Sequence, residues 1–268
     1  MTEYISLGMY ITGLPLRQAW RALFNSARSI NPEYHIPENI VFNSDRETLL
    51  RKTTRIGHTC GYPLMTRYST LLTPLCVPCF NAEGCEGSKY SSHFLVRRDS
   101  NINQLEDCRD HIAVINGLDS NSGMNVFRAA ISEIHKDSPN LEFFKAVKIS
   151  GSHVKSVDVL LAGEADIAAI DAVTLAFIKK DNPKLDNQLR TIAFSKKTTG
   201  LPFVTHIDQP FLTGIEITDV LNSALNQIEP EVKQLLMIDH FETVEFQDYQ
   251  SIVDLEQCAI ENGYPILR

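Results

Sequence analysis

The sequence lacks any run of apolar residues long enough to cross a bilayer. A membrane-spanning helix needs roughly 20 consecutive apolar residues, and no stretch of the 268-residue chain approaches that length. The N-terminal MTEYISLGMYITGLPLRQAW also lacks the basic region, apolar core and cleavage site of an export signal. We therefore expect no membrane insertion, and we find no export signal in the sequence as it stands.

An excess of basic residues is also missing. The 25 Lys and Arg residues are scattered and are outnumbered by 33 Asp and Glu residues, which gives a formal net charge of −8. Nucleic-acid-binding domains carry a clustered basic face, so we expect no nucleic-acid partner. Internal repeats and low-complexity segments are absent, and 43% hydrophobic with 22% charged residues is an ordinary globular composition.

Cysteine is present, but in no complete metal-binding pattern. Four of the six cysteines lie between residues 60 and 85, where the spacing C-x2-C-x5-C lacks the second C-x2-C half of a zinc site. We therefore expect no metal ion and no other cofactor. Two alternatives stay open for the thiols: a disulfide such as Cys60–Cys85 if the protein is exported, or reduced and buried cysteines.

Alternating strand and helix signals predict an α/β fold with mostly parallel sheets flanked by helices. Strand patterns occupy residues 4–11, 39–43, 55–64, 90–100, 111–115, 143–149, 165–171, 189–195 and 202–208. The rest of the chain after residue 208 reads as mainly helical. Two α/β blocks without a flexible spacer predict two lobes, residues 1–97 plus 203–268 and an inserted lobe 98–202. Ligands of such folds lie in a crevice at the carboxyl ends of strands.

The stretch NGLDSNSGMNVFRAA (116–130) is the first candidate binding loop. It connects the strand HIAVIN to an amphipathic helix, and the first N–H groups of a helix lack partners and carry partial positive charge. Ser120, Asn121 and Ser122 add hydrogen-bonding side chains, and Gly123 allows close approach, so an anion fits this turn. An ordinary helix N-cap is the alternative. The turn is not a P-loop, because no Gly-Lys-Ser/Thr follows.

A second loop of the same type lies at SGSH (150–153). It places His153 at the start of the next helix, where its ring can donate a hydrogen bond to an anion. The strand that follows ends at Asp171, whose carboxylate would accept only a protonated or amine-bearing ligand, or would cap a helix.

These motifs together resemble a known family. The ordered set TCGYPL (59–64), YSSHFLVRRDS (90–100), SNSGMN (120–125), GSH (151–153) and GEADIAAID (163–171) resembles the phosphonate-type solute-binding proteins of ABC transporters, over about residues 4–210. This resemblance implies a type 2 periplasmic binding protein fold and a two-lobed receptor. Such a receptor closes on a small oxyanion, delivers it to an ABC permease and does not change it chemically.

The resemblance also implies the ligand-binding residues. Its two tyrosines that flank the ligand match Tyr62 and Tyr90, and its oxyanion turn matches Ser120, Asn121, Ser122 and Gly123. Its following histidine and its acidic or polar position match His153 and Asp171. We add Tyr10, at the end of the first predicted strand, from topology.

Two departures leave the ligand and the compartment open. Asn121 stands where the family often has a hydroxyl residue, so phosphate, phosphonate, phosphite, sulfate and organic phosphates all stay open as ligands. The resemblance implies a periplasmic or extracytoplasmic location, whereas the lack of an export signal leaves a cytoplasmic one open. An alternative to a transport receptor is therefore a sensory module, whose closed form is recognised by another protein.

An enzyme is the other alternative. The same fold resembles pyrimidine-synthesising enzymes of thiamine metabolism and porphobilinogen deaminase, so fold alone does not exclude catalysis. Its sharpest version uses Cys60 as the nucleophile with His58 or His153 as the base.

Overall fold

The computed structural model describes residues 2–43, 45–136 and 142–268. The strands are β1 (Tyr4–Leu7), β2 (Asn39–Val41), β3 (Thr54–His58), β4 (Leu72–Phe80), β5 (Cys85–Glu86), β6 (Lys89–Tyr90), β7 (Ser92–Arg97), β8 (Ile112–Ile115), β9 (Ala146–Ile149), β10 (Ile167–Asp171), β11 (Leu189–Phe194), β12 (Thr198–Thr199), β13 (Phe203–His206) and β14 (Ile238–Thr243). The helices are α1 (Gly13–Ile30), α2 (Arg46–Leu49), α3 (Gly61–Pro63), α4 (Val126–His135), α5 (His153–Leu161), α6 (Ala172–Asp181), α7 (Gly214–Gln227), α8 (Pro230–Leu236) and α9 (Gln250–Glu261). Across the described residues, none of these helices has the length and apolar character that a membrane crossing requires.

The chain forms two compact units. Unit 1 comprises Met1–Asn81, Glu86–Lys89 and Thr199–Tyr249, and unit 2 comprises Ala82–Cys85, Tyr90–Thr198 and Gln250–Arg268. These bounds differ from the predicted lobe boundaries at residues 97 and 203. β7 lies in unit 2 because it pairs along its length with β10 and β11. The C-terminal segment, predicted in the first lobe, belongs to unit 2, where the Arg268 carbonyl accepts hydrogen bonds from the N–H groups of Phe143 and Phe144.

Unit 1 is built on a mixed sheet in the order β14-β4-β13-β3-β1-β2. β1 runs parallel to β2 and β3, while β13 and β14 are antiparallel to their neighbours. Helix α1 buries an apolar face whose members are Leu16, Ala19, Trp20, Leu23, Phe24 and Ala27. That face has the three-and-four spacing that the sequence predicts for an amphipathic helix.

Two strands of this six-stranded sheet are missing from the sequence prediction. β4 contains Pro74 and Pro78, which lower the strand signal of its segment. The region after residue 208 is mainly helical, as predicted, but β14 is a strand that this prediction missed. A register shift between Ile238 and His240 turns both Ile238 and Phe241 inward, so the apolar spacing of a bulged strand imitates that of a helix.

Unit 2 contains a second mixed sheet in the order β11-β7-β10-β8-β9. β8 is parallel to β9 and β10, and β7 is antiparallel to β10 and β11. Helices α4, α5 and α6 follow β8, β9 and β10 along the chain, as the sequence predicts. The predicted α/β class is therefore confirmed, but the sheets are mixed rather than mostly parallel.

Candidate oxyanion-binding site

The loop after β8 forms a capped helical turn. Residues Asn121–Asn125 form a π-helical turn that continues into α4, and the Ser120 hydroxyl caps it by accepting the Gly123 N–H at 2.9 Å. Within the described part of the chain, the N–H groups of Asn121 and Ser122 have no acceptor. Ser120 thus caps the turn, as the N-cap alternative predicts. The next two N–H groups remain available to an anion, so the cap and an anion-binding geometry coexist.

Gly123 is required here for lack of space and not for an unusual φ. A Cβ atom at this position would lie 1.7 Å from the Asn116 Oδ1, which is far below any real contact distance. Any larger residue at this position would therefore force the Asn116 side chain to move.

Asn121 holds the surrounding side chains in place. The residue is fully buried, and its amide donates to the Thr198 Oγ1 at 2.9 Å and to the Tyr90 Oη at 3.3 Å. Its Oδ1 accepts from the Asn125 amide at 3.0 Å. The side chain that the sequence predicts as an oxyanion donor is therefore already bonded to protein groups, and Tyr90 is brought to the turn by it.

Ser122 and His153 join the two predicted loops. The Ser122 Oγ lies 2.9 Å from the His153 Nε2, and the Ser122 carbonyl accepts from the Ser92 hydroxyl at 2.8 Å. Burial lowers the pKa of His153 to about 4, although the Ala169 carbonyl opposes part of that shift. At neutral pH the ring is uncharged, so it brings no net charge to the turn.

Asp171 lies at the end of β10, directly opposite Ser92 of β7. It is buried, and its Oδ1 accepts the Thr174 N–H at 2.8 Å, which caps α6. The structure thus shows the capping role that the sequence analysis names as the alternative for this carboxylate.

The remaining two predicted residues, Tyr10 and Tyr62, lie in unit 1 and are both buried. Tyr10 has a left-handed backbone with φ 53°, and its carbonyl accepts from the Trp20 indole at 3.0 Å. The Tyr62 carbonyl accepts from the Thr66 hydroxyl at 2.8 Å. Seven of the nine predicted residues, Tyr90, Ser120, Asn121, Ser122, Gly123, His153 and Asp171, therefore belong to one unit.

Three residues of this cluster are missing from the sequence prediction: Ser92, Asn125 and Thr198. Only Asn125 gave a usable signal, because it follows Asn121 by four residues and such pairs face each other on a helix. Ser92 and Thr198 reach the turn through tertiary pairing, which local sequence does not encode.

The cysteines form no disulfide in this structure. All six, including Cys60 and Cys85, lie within the described residues as thiols, and four of them are buried. Burial raises the pKa of Cys85 and of Cys108 to about 12, so both remain protonated thiols at neutral pH.

A family model confirms the resemblance that the motifs indicate. The model for the periplasmic substrate-binding proteins of phosphonate ABC transporters matches residues 54–249, well over half of the chain. The chain belongs to this family. No curated protein sequence gives a match.

Solved structures of this phosphonate-type family and its neighbours share the fold. A binding protein of an ABC phosphonate transporter from Pseudomonas aeruginosa is 16% identical, with a TM-score of 0.72 over 98% of this chain and 88% of its own. PhnD1 from Prochlorococcus marinus, solved with methylphosphonate, is 16% identical with a TM-score of 0.67 over 98% of each chain. The alkanesulfonate-binding protein SsuA from Xanthomonas axonopodis pv. citri, solved with MOPS, is 16% identical with a TM-score of 0.61 over 99% and 96%. At these identities the likeness shows the fold alone.

Proposed function

We propose that this phosphonate-type binding protein reversibly captures a small tetrahedral oxyanion, with a phosphonate as the first candidate, at the turn Ser120–Gly123 of unit 2. The observation that carries the proposal is the pair of N–H groups of Asn121 and Ser122, which have no acceptor in the described chain and begin a helical turn. Backbone N–H groups at such a position suit an anion because the helix dipole adds partial positive charge.

The side chains around this turn have separate roles in the proposal. The Ser122 hydroxyl donates a hydrogen bond to the oxyanion. The neutral His153 ring donates a hydrogen bond from Nε2 to the Ser122 Oγ, which fixes the hydroxyl in that orientation. Asn121 acts through its N–H and positions Tyr90, whose phenol forms one wall of the site. Ser120 and Gly123 shape the turn, and Asp171 meets the substituent of the ligand. Contacts from Tyr10 and Tyr62 stay a prediction.

Neutral donors favour capture over chemistry. A general base works best with a pKa near the operating pH, whereas burial lowers the pKa of His58 to about 3 and that of His153 to about 4. Neither ring suits the role of base for a Cys60 nucleophile. We therefore propose that the protein is not an enzyme, that its partner is an ABC permease, and that it works outside the cytoplasm, as its family does.

A thermal-shift screen tests the ligand class. A ligand that binds only the folded state raises the melting temperature once its concentration exceeds the dissociation constant. The screen compares methylphosphonate, 2-aminoethylphosphonate, phosphate, phosphite, sulfate and methanesulfonate. Methanesulfonate is included because uncharged hydrogen-bond donors can bind a sulfonate as well as a phosphonate. A shift with one of these oxyanions that is smaller in Ser122→Ala and unchanged in Ser29→Ala, an exposed serine of unit 1, supports the proposal. The absence of a shift with all six would overturn it.

A further inference from the structure

A thiol, an imidazole and a carboxylate converge on the β4–β14 pair of unit 1. One ligand atom from each of Cys79, His240 and Glu242 lies within 4.8 Å of the other two. This group belongs to unit 1, whereas the proposed oxyanion turn belongs to unit 2. The function described above uses none of its three residues.

The strand register accounts for the convergence. His240 of β14 pairs directly with Cys79 of β4, and Glu242 follows His240 by two residues, which places all three side chains on one face of the antiparallel pair. β14 is the edge strand of the sheet, so a bond between these side chains would tie the edge to its neighbour.

His240 is oriented as a metal-binding histidine is. Its Nδ1 lies 2.9 Å from the Asp239 Oδ2, and its Nε2 lies 2.9 Å from the Glu242 Oε1. Metal-bound histidines commonly donate a hydrogen bond from their second ring nitrogen to a carboxylate. This bond fixes the ring and directs the other nitrogen at the metal. Asp239 occupies that supporting position, and Nε2 contacts the Glu242 carboxylate.

The exposure of the group leaves an entry path. The Cys79 side chain is buried, while those of His240 and Glu242 are 42% and 39% exposed. A metal held by three protein atoms here would therefore keep one position for water, as open zinc sites do.

We propose that Cys79, His240 and Glu242 bind a divalent transition-metal ion of the zinc type, which pins β14 to β4. A thiolate and an imidazole with one carboxylate suit Zn²⁺ and exclude Mg²⁺ and Ca²⁺, which need oxygen ligands throughout. Binding requires the Cys79 proton to leave, so one proton is released to solvent from the thiol and the thiolate takes the metal.

Titration of the full-length, chelator-treated protein with Zn²⁺ against a chromophoric chelator tests the site. We expect one zinc ion per chain, a rise in melting temperature on addition of Zn²⁺ and none with Mg²⁺. Co²⁺ should give the visible absorption of a four-coordinate thiolate complex. His240→Ala and Glu242→Gln should each weaken zinc binding at least tenfold, and Asp239→Asn by roughly 10 to 100-fold, the scale of a supporting carboxylate.

Matched controls separate this site from other ligands in the chain. His35→Ala and Cys258→Ser remove a histidine and a cysteine outside the group and should leave zinc affinity unchanged. Cys79→Ser removes a buried thiol, so its fold is checked by circular dichroism. The half-exposed Glu242 and the exposed Asp239 give variants that do not disturb the core. Failure of the wild type to take zinc from the chromophoric chelator, or binding in His240→Ala and Glu242→Gln equal to that of the wild type, would overturn the proposal.

Discussion

Acid is expected to destabilise unit 1 through His58. This ring is 3% exposed and packs edge-on against Phe203 with the ring centres 4.8 Å apart. Its Nε2 lies 3.3 Å from the Leu201 carbonyl, and its Nδ1 has no partner within the described residues. Burial lowers the pKa of His58 from 6.5 to about 3.

The sign and size of the effect follow from proton linkage. Between pH 6.5 and about 3 the unfolded chain binds a proton at His58 and the folded chain does not, so the free energy of unfolding falls as the pH falls. The slope is about 1.4 kcal/mol per pH unit for one group, and the full loss, reached only below pH 3, is about 5 kcal/mol. Between pH 6.5 and 5 the expected loss is about 2 kcal/mol.

Urea denaturation of the wild type and of His58→Gln measures this loss. Trp20 is the single tryptophan of the chain and its ring centre lies 6.3 Å from that of His58, so its fluorescence reports on unit 1. We expect His58→Gln to lose about 2 kcal/mol less than the wild type between pH 6.5 and 5, and the exposed-histidine variant His35→Gln to match the wild type. An equal pH dependence in His58→Gln and the wild type would refute the reasoning.

Three further predictions concern unit 2. Gly123→Ala should abolish oxyanion binding in calorimetry, because the new Cβ meets the Asn116 Oδ1, whereas Gly117→Ala in the same loop should bind normally. Ser120→Ala should lower the free energy of unfolding by about 1 kcal/mol in urea titration through the lost cap, and a loss below a few tenths of that would contradict the capping role. Arg128→Leu should cost about 3 kcal/mol in the same assay, because its buried guanidinium donates to three acceptors within the unit; a neutral outcome would show that these bonds are not needed.

The sequence was most informative where strand, turn and helix follow one another locally. The α/β class, the turn at Ser120–Gly123 and the neighbouring loop at His153 could all be read from spacing and composition, because capping chemistry is local. The π-helical form of residues 121–125 could not, since the capping signal at Ser120 is the same for an α-helix.

Long-range pairing explains what the sequence could not predict. β14 imitates helical spacing because of its register shift, and its pairing with β4 is what brings His240 to Cys79. The cysteine spacing alone gave no reason to connect Cys79 with residues about 160 positions away. Asn121 reads as a ligand donor in the sequence, but its partners Tyr90 and Thr198 are set by tertiary structure.

Isothermal titration calorimetry of the purified protein with methylphosphonate tests the central claim most directly. The account predicts saturable binding of one ligand per chain, weakened by about 1–3 kcal/mol in Ser122→Ala through the loss of a buried hydrogen bond and unchanged in Ser29→Ala. If methylphosphonate binds and Ser122→Ala binds it equally well, the turn at Ser120–Gly123 is not the site. If the wild type gives no binding to methylphosphonate or to the other oxyanions, the proposed capture of a small oxyanion is contradicted.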